Sequence, residues 1–180
     1  MLLRADCSSL LVIDVQQRLA PATHEPAVVV NNCAVLMRAA RRLNVPVLLS
    51  EQYPKGLGAT VPELASLTNG ENILTKLHFS CAADPAYRRR FDALGRNQAV
   101  IAGMEAHVCV LQTAIDLHES GTHVFVVGDA ITSRSPETKS VAISRMRDAG
   151  LTVVTTEMVV FEWLQRAGTP EFKELSGLIK

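Results

Sequence analysis

No stretch of this 180-residue sequence approaches the roughly 20 consecutive apolar residues needed to span a bilayer. Neither sign of charge prevails: 18 lysines and arginines meet 18 aspartates and glutamates, so no global field draws the chain to nucleic acid or anionic lipid. Aromatic residues make up only 4% and offer no stacking platform for single strands. The four cysteines, Cys7, Cys33, Cys81 and Cys109, are scattered without a CxxC pair, which argues against a disulfide framework or a zinc knuckle. His24, His78, His107, His118 and His123 show no metal-ligand spacing. The opening "MLLRADCSSLLVIDV" is too short and too mixed in charge for a signal or transit peptide. The expectation is a cytoplasmic protein with neither membrane nor nucleic acid as partner; mitochondrial association stays open.

What is present is a core. Hydrophobic residues make up 48% of the chain, enough for one domain spanning residues 1–180. Six short apolar runs lack polar alternation, as strands buried on both faces of a parallel sheet do: "LLVID", "VPVLLS", "NILTK", "QAVIAG", "HVFVVGDA" and "LTVVTT". Amphipathic segments separate them. Val29, Cys33, Leu36, Met37, Ala40 and Leu43 trace one helical stripe. "DPAYRRRFDALG" and "SPETKSVAISRMRDAG" each open with a capping residue and proline and close with glycine. The arginines of "YRRRF" read as a solvated face, because Tyr87, Phe91 and Leu94 are spaced to pack inward. This βα alternation predicts an α/β fold of three αβα layers around a doubly wound sheet. The tail after Trp163 reads as helical, packing the chain end or a partner subunit.

Ligands of such sheets sit beyond the carboxyl ends of the strands, where the strand order reverses. The residues closing the strands are Asp14, Ser50 to Gln52, Lys76, Gly103 to Cys109, and Asp129. Taken alone, Asp14 and Lys76 have dull readings as a helix cap or a surface charge, and Cys109 reads as a buried, inert thiol. An acid, a cation and a cysteine converging on one edge point to chemistry. A thiol ionises more readily at a helix N-terminus or beside an ammonium. Cys109 is therefore expected to be activated by the dipole of its helix and by Lys76, with Asp14 carrying its proton. The first helical turn offers unpaired N–H donors for an oxyanion.

The segments "LLVIDVQQRL", "SEQYPKGLGATVPEL", "LTKLHFSC" and "VIAGMEAHVCVLQTAIDL" together resemble the isochorismatase-like cysteine hydrolases, in particular the branch marked by "EQYPKGLG". The resemblance covers about residues 8 to 160. It implies a six-stranded parallel sheet in the order 3-2-1-4-5-6 and a catalytic triad of Asp14, Lys76 and Cys109. It also implies a cis peptide between Met104 and Glu105, which with Gly103 turns the backbone N–H groups of Glu105 and Cys109 into an oxyanion hole. With strand 3 two places from strand 1, Lys76 starts about 10 Å from Asp14, a gap that sheet twist and the long side chain must close. Nicotinamidases of this family hold a metal through histidines near the end of strand 2. "SEQYPKGLG" has none, so the expectation is no metal and no cofactor.

The activity this implies is hydrolysis of a carbon–nitrogen bond in a small amide-like substrate through a cysteine thioester. A catalytically latent, oligomeric binding or scaffolding protein is the alternative, and ribonuclease activity a third. The resemblance and the apolar "MVVFEWL" imply a homo-oligomer, a dimer or larger. Tyr53 and Phe79 are candidate pocket walls and Gln16 a polar contact. His107 either faces the substrate or packs away, and the Glu105 carboxylate can bond to neighbouring backbone instead.

Overall fold

A computed structural model describes residues 1–179. Six strands form one parallel sheet in the order β3-β2-β1-β4-β5-β6: β1 Ser8–Ile13, β2 Val47–Gln52, β3 Ile73–Lys76, β4 Gln98–Met104, β5 His123–Thr132 and β6 Thr152–Val154. The helices are α1 Pro26–Arg42, α2 Pro54–Leu57, α3 Pro62–Ala65, α4 Pro85–Asp92, α5 Leu111–Glu119, α6 Pro136–Asp148, α7 Thr156–Leu164 and α8 Pro170–Leu175. Among the described residues, no helix is long and apolar enough to cross a membrane.

Successive side chains of a strand point to opposite faces, and here both faces are covered. Leu10 and Val12 of β1 pack with Leu36 and Met37 of α1 and Val160 and Trp163 of α7 in one core. Leu11 and Ile13 pack with Tyr87 and Phe91 of α4, Leu117 of α5 and Met146 of α6 in the other. Fully burying one such aliphatic side chain stabilises by about 1.5–3 kcal/mol, which explains why the strands read as unbroken apolar runs.

The helix grammar is visible in the caps. Asp84 accepts hydrogen bonds from the N–H groups of Ala86 and Tyr87, and Ser135 from that of Thr138. β6 is shorter than "LTVVTT" suggests because Thr155 leaves the strand to cap α7, accepting from Met158. β5 runs on to Thr132, beyond "HVFVVGDA". "EQYPKGLG" is not all loop: Pro54–Leu57 forms one helical turn, and Tyr53, denied right-handed geometry by the following proline, takes φ +37°. The end of the chain packs on its own core, with the Trp163 indole N–H donating to Ser8 Oγ at 3.0 Å and Leu175 of α8 buried.

β1 pairs with β2 on one side and β4 on the other, so the order reverses at β1. The crevice at its carboxyl end receives Asp14 from β1 and the chain leaving β4.

Candidate active site

Asp14 follows β1 directly and takes a left-handed φ of +51°. Its N–H donates to the Ser50 carbonyl at 3.1 Å. Lys76 closes β3, two strands away, and its ammonium reaches Asp14 Oδ2 at 2.8 Å, both side chains 0% exposed. β2, which lies between, fills the gap: Ser50 donates its hydroxyl to Asp14 Oδ1 at 2.6 Å, and Gln52 Oε1 accepts from Lys76 Nζ at 2.6 Å. The carbonyls of His78 and Phe79 accept from the same ammonium at 3.2 and 3.0 Å.

Cys109 lies in a π-helical turn, Ala106–Val110, that leads into α5. The turn is closed by Glu105, whose carbonyl accepts the N–H groups of Val108 and Val110 at 3.1 and 3.3 Å. The Met104–Glu105 peptide bond is cis. Gly103, with φ +121°, lets β4 press against β1 just before Asp14: a Cβ there would stand 2.0 Å from the Ile13 carbonyl oxygen. The Cys109 residue is 5% exposed. A cleft of about 740 Å³ lies between α1 and α6, and Cys109 does not line it.

The electrostatics correct one expectation. Burial pushes the Cys109 thiol well above its usual range, and the charge of Asp14 adds to this; Lys76 pulls the other way and is outweighed. The resting sulfur is therefore a neutral thiol, not a thiolate activated by Lys76. Burial works against the Lys76 ammonium, but the charge of Asp14 and the neighbouring sulfurs Cys81 and Cys109 overcome it, and its pKa is raised. The cation belongs to Asp14.

The Isochorismatase domain family matches residues 8–158. The chain belongs to the isochorismatase family. It is 40% identical over 172 residues to isochorismatase domain-containing protein 2 of Danio rerio, covering 96% of this chain and 86% of the relative. Among solved structures, the MAR1 ribonuclease of Caenorhabditis elegans superposes with a TM-score of 0.93 at 35% identity, over 99% of this chain and 92% of that one. The YcaC gene product of Escherichia coli, described as an octameric hydrolase of unknown specificity, superposes with a TM-score of 0.93 at 26% identity, over 99% and 90% of the two chains.

Within this isochorismatase fold the other candidate residues take different places. Gln16 is not a substrate contact. It is fully buried, its amide donating to the carbonyls of Gln52 at 3.0 Å and Gly58 at 2.6 Å while its oxygen accepts the Gln52 N–H at 2.8 Å. It clamps the 53–58 segment to the sheet. Tyr53 is half exposed and lines a cleft of about 400 Å³ with Thr75, Leu77 and Asp84. The Phe79 ring is also exposed, and the residue reaches the buried pair through its carbonyl. His107 bonds through Nδ1 to Ser133 Oγ at 2.9 Å. The Glu105 carboxylate accepts from Arg134 Nε at 3.0 Å rather than from neighbouring backbone. Among the described residues no three or more His, Cys, Asp or Glu side chains are grouped to hold a metal ion.

Ser50 and Gln52 carry more of the site than the sequence suggested. Their signal was their position at the end of β2; what a strand-end serine or glutamine bonds to is set by its neighbours in the sheet, not by its spacing in the chain.

Proposed function

We propose that the protein is a cysteine hydrolase that cleaves the carbon–nitrogen bond of a small amide-like molecule through a thioester on Cys109. The observation that carries this reading is the sealed Asp14–Lys76 pair, 2.8 Å apart, whose charges both act on the buried Cys109 thiol. Aspartate and lysine are seldom buried so completely, and an ion pair costs desolvation that apolar residues would avoid. Its position against a nucleophile supports a chemical use.

Because the thiol rests neutral, proton transfer to Asp14 accompanies attack. Sulfur bonds to the carbonyl carbon, the thiol proton passes to Asp14, and the carbonyl oxygen takes the electron pair. The backbone N–H groups of Glu105 and Cys109 are the donors assigned to that oxyanion. Collapse breaks the carbon–nitrogen bond, and Asp14 returns the proton to the departing nitrogen. Water then loses a proton to Asp14 and attacks the thioester; the second collapse expels sulfur, which recovers its proton, and a carboxylic acid leaves. Lys76 stays cationic throughout and holds Asp14 Oδ2 in place. The reaction drawn this way uses no metal or other cofactor, and the 5% exposure of Cys109 suits a small substrate. The octameric relative from Escherichia coli supports assembly into a homo-oligomer.

A second reading is RNA cleavage, favoured by the name of the Caenorhabditis elegans relative and opposed by the zero formal net charge. A third is a latent scaffold that keeps the fold without turnover. A panel of small amides, ureido and carbamoyl compounds and a labelled RNA, offered to wild type and Cys109→Ala, separates the three. Turnover of a small amide that Cys109→Ala abolishes is the expected result. RNA cleavage or no turnover at all supports one of the others.

A further inference from the structure

We propose that Ser50 is a positioning residue for Asp14, fixing one carboxylate oxygen so that the acid passes its proton between Cys109 and substrate in a single orientation. The inference rests on the cysteine-hydrolase reading and extends it to a residue outside the acid, cation and thiol.

Ser50 is 1% exposed and pairs with Ile13 in the β1–β2 register, which sets its side chain beside the next residue of β1. Its hydroxyl donates to Asp14 Oδ1 at 2.6 Å. In return the Asp14 N–H reaches the Ser50 carbonyl at 3.1 Å and Oγ at 3.3 Å. Lys76 holds the other oxygen, Oδ2, at 2.8 Å. One carboxylate thus takes a neutral donor on one side and a charged donor on the other, and it cannot rotate without breaking both bonds. Lys76 alone would neutralise the charge while leaving the plane of the carboxylate free.

The ionisable groups facing Asp14 come from every element around it: Lys76 from β3, Cys81 from the segment after β3, Tyr87 from α4 and Cys109 from the turn after β4. Burial pushes the two thiols and the phenol up, so at neutral pH Lys76 is the one charge among these four. A hydrogen bond given to a carboxylate favours its ionised form. Removing a buried one should move the acid side of the Cys109 reactivity profile up by about 1–2 pH units.

The test is the pH dependence of Cys109 alkylation by iodoacetamide, followed by peptide mass spectrometry in wild type, Ser50→Ala and Ser50→Thr, with thermal melts to establish folding. The inference predicts that the acid side of the profile shifts upward by about 1–2 pH units in Ser50→Ala and returns to the wild-type position in Ser50→Thr, which keeps a hydroxyl. Should Ser50→Ala not fold, Ser50→Cys, a weaker donor, takes its place with a smaller shift in the same direction. A profile in the alanine or cysteine variant that superposes on wild type overturns the role of Ser50 while leaving the cysteine reading intact. A wild-type Cys109 that cannot be alkylated at any pH overturns both.

Discussion

Gly103 and Ile13 approach so closely that a methyl group on the glycine would stand 2.0 Å from the Ile13 carbonyl oxygen. Ile13 precedes Asp14, and Gly103 precedes the Met104–Glu105 cis bond, so this one contact sets the spacing between the acid and the turn that carries Cys109.

Gly103→Ala is therefore expected to destabilise the protein by about 3 kcal/mol or more, since backbone must move as well as φ. Gly121 provides the control: its φ is +91° but nothing lies within 4 Å of an added Cβ. Gly121→Ala should cost only the strain of the left-handed conformation, about 1 kcal/mol. Urea unfolding of both variants measures the difference, and equal costs would show that the close approach to β1 is unimportant.

The Asp14–Lys76 pair is sealed from solvent. Removing one partner leaves an uncompensated buried charge, so Asp14→Asn and Lys76→Met should each lose about 3–5 kcal/mol. The double variant should recover part of that loss, because no lone charge remains. A double-mutant cycle by urea unfolding checks this; additive losses would mean that the pair is not coupled.

Much of this was legible in the sequence, for reasons particular residues make clear. "LLVI" of β1 is buried at every position, which is why its lack of alternation announced a two-faced strand. Asp84 and Ser135 cap their helices as their sequences promised, since a cap is decided within three residues. Asp14 and Lys76 were visible as charges closing apolar strands. The resting state of Cys109 was not, because its local helix suggests activation while burial and Asp14, both tertiary, decide the other way. Gln16 misled for the same reason: its two partners, Gln52 and Gly58, lie 36 and 42 residues away.

Burial also sets the alkaline limit. The Cys33 thiol is raised from 9.0 to about 12, by burial first and the charge of Asp129 second, and Cys81 to about 11, mainly by burial. Thiols raised in the folded state stay protonated while those of the unfolded chain ionise above about 9. Their stabilising contribution is thus full below pH 9 and is lost as pH rises through 11 to 12. Stability should fall across that window. In Cys33→Ala the slope should be shallower by about 1.4 kcal/mol per pH unit at most, whatever the fixed cost of the cavity. Melts from pH 7 to 11 compare the slopes; identical slopes would remove Cys33 as a cause.

The most direct measurement is site-resolved labelling by a small electrophile at neutral pH in a Cys7→Ser background, since Cys7 is the one cysteine that is not buried. The account predicts modification at Cys109, little at Cys33 and Cys81, and a loss of Cys109 labelling of about 100-fold in Asp14→Asn, typical of removing a positioned base. Equal labelling of the buried cysteines, or a Cys109 that reacts as fast without Asp14 as with it, would contradict it.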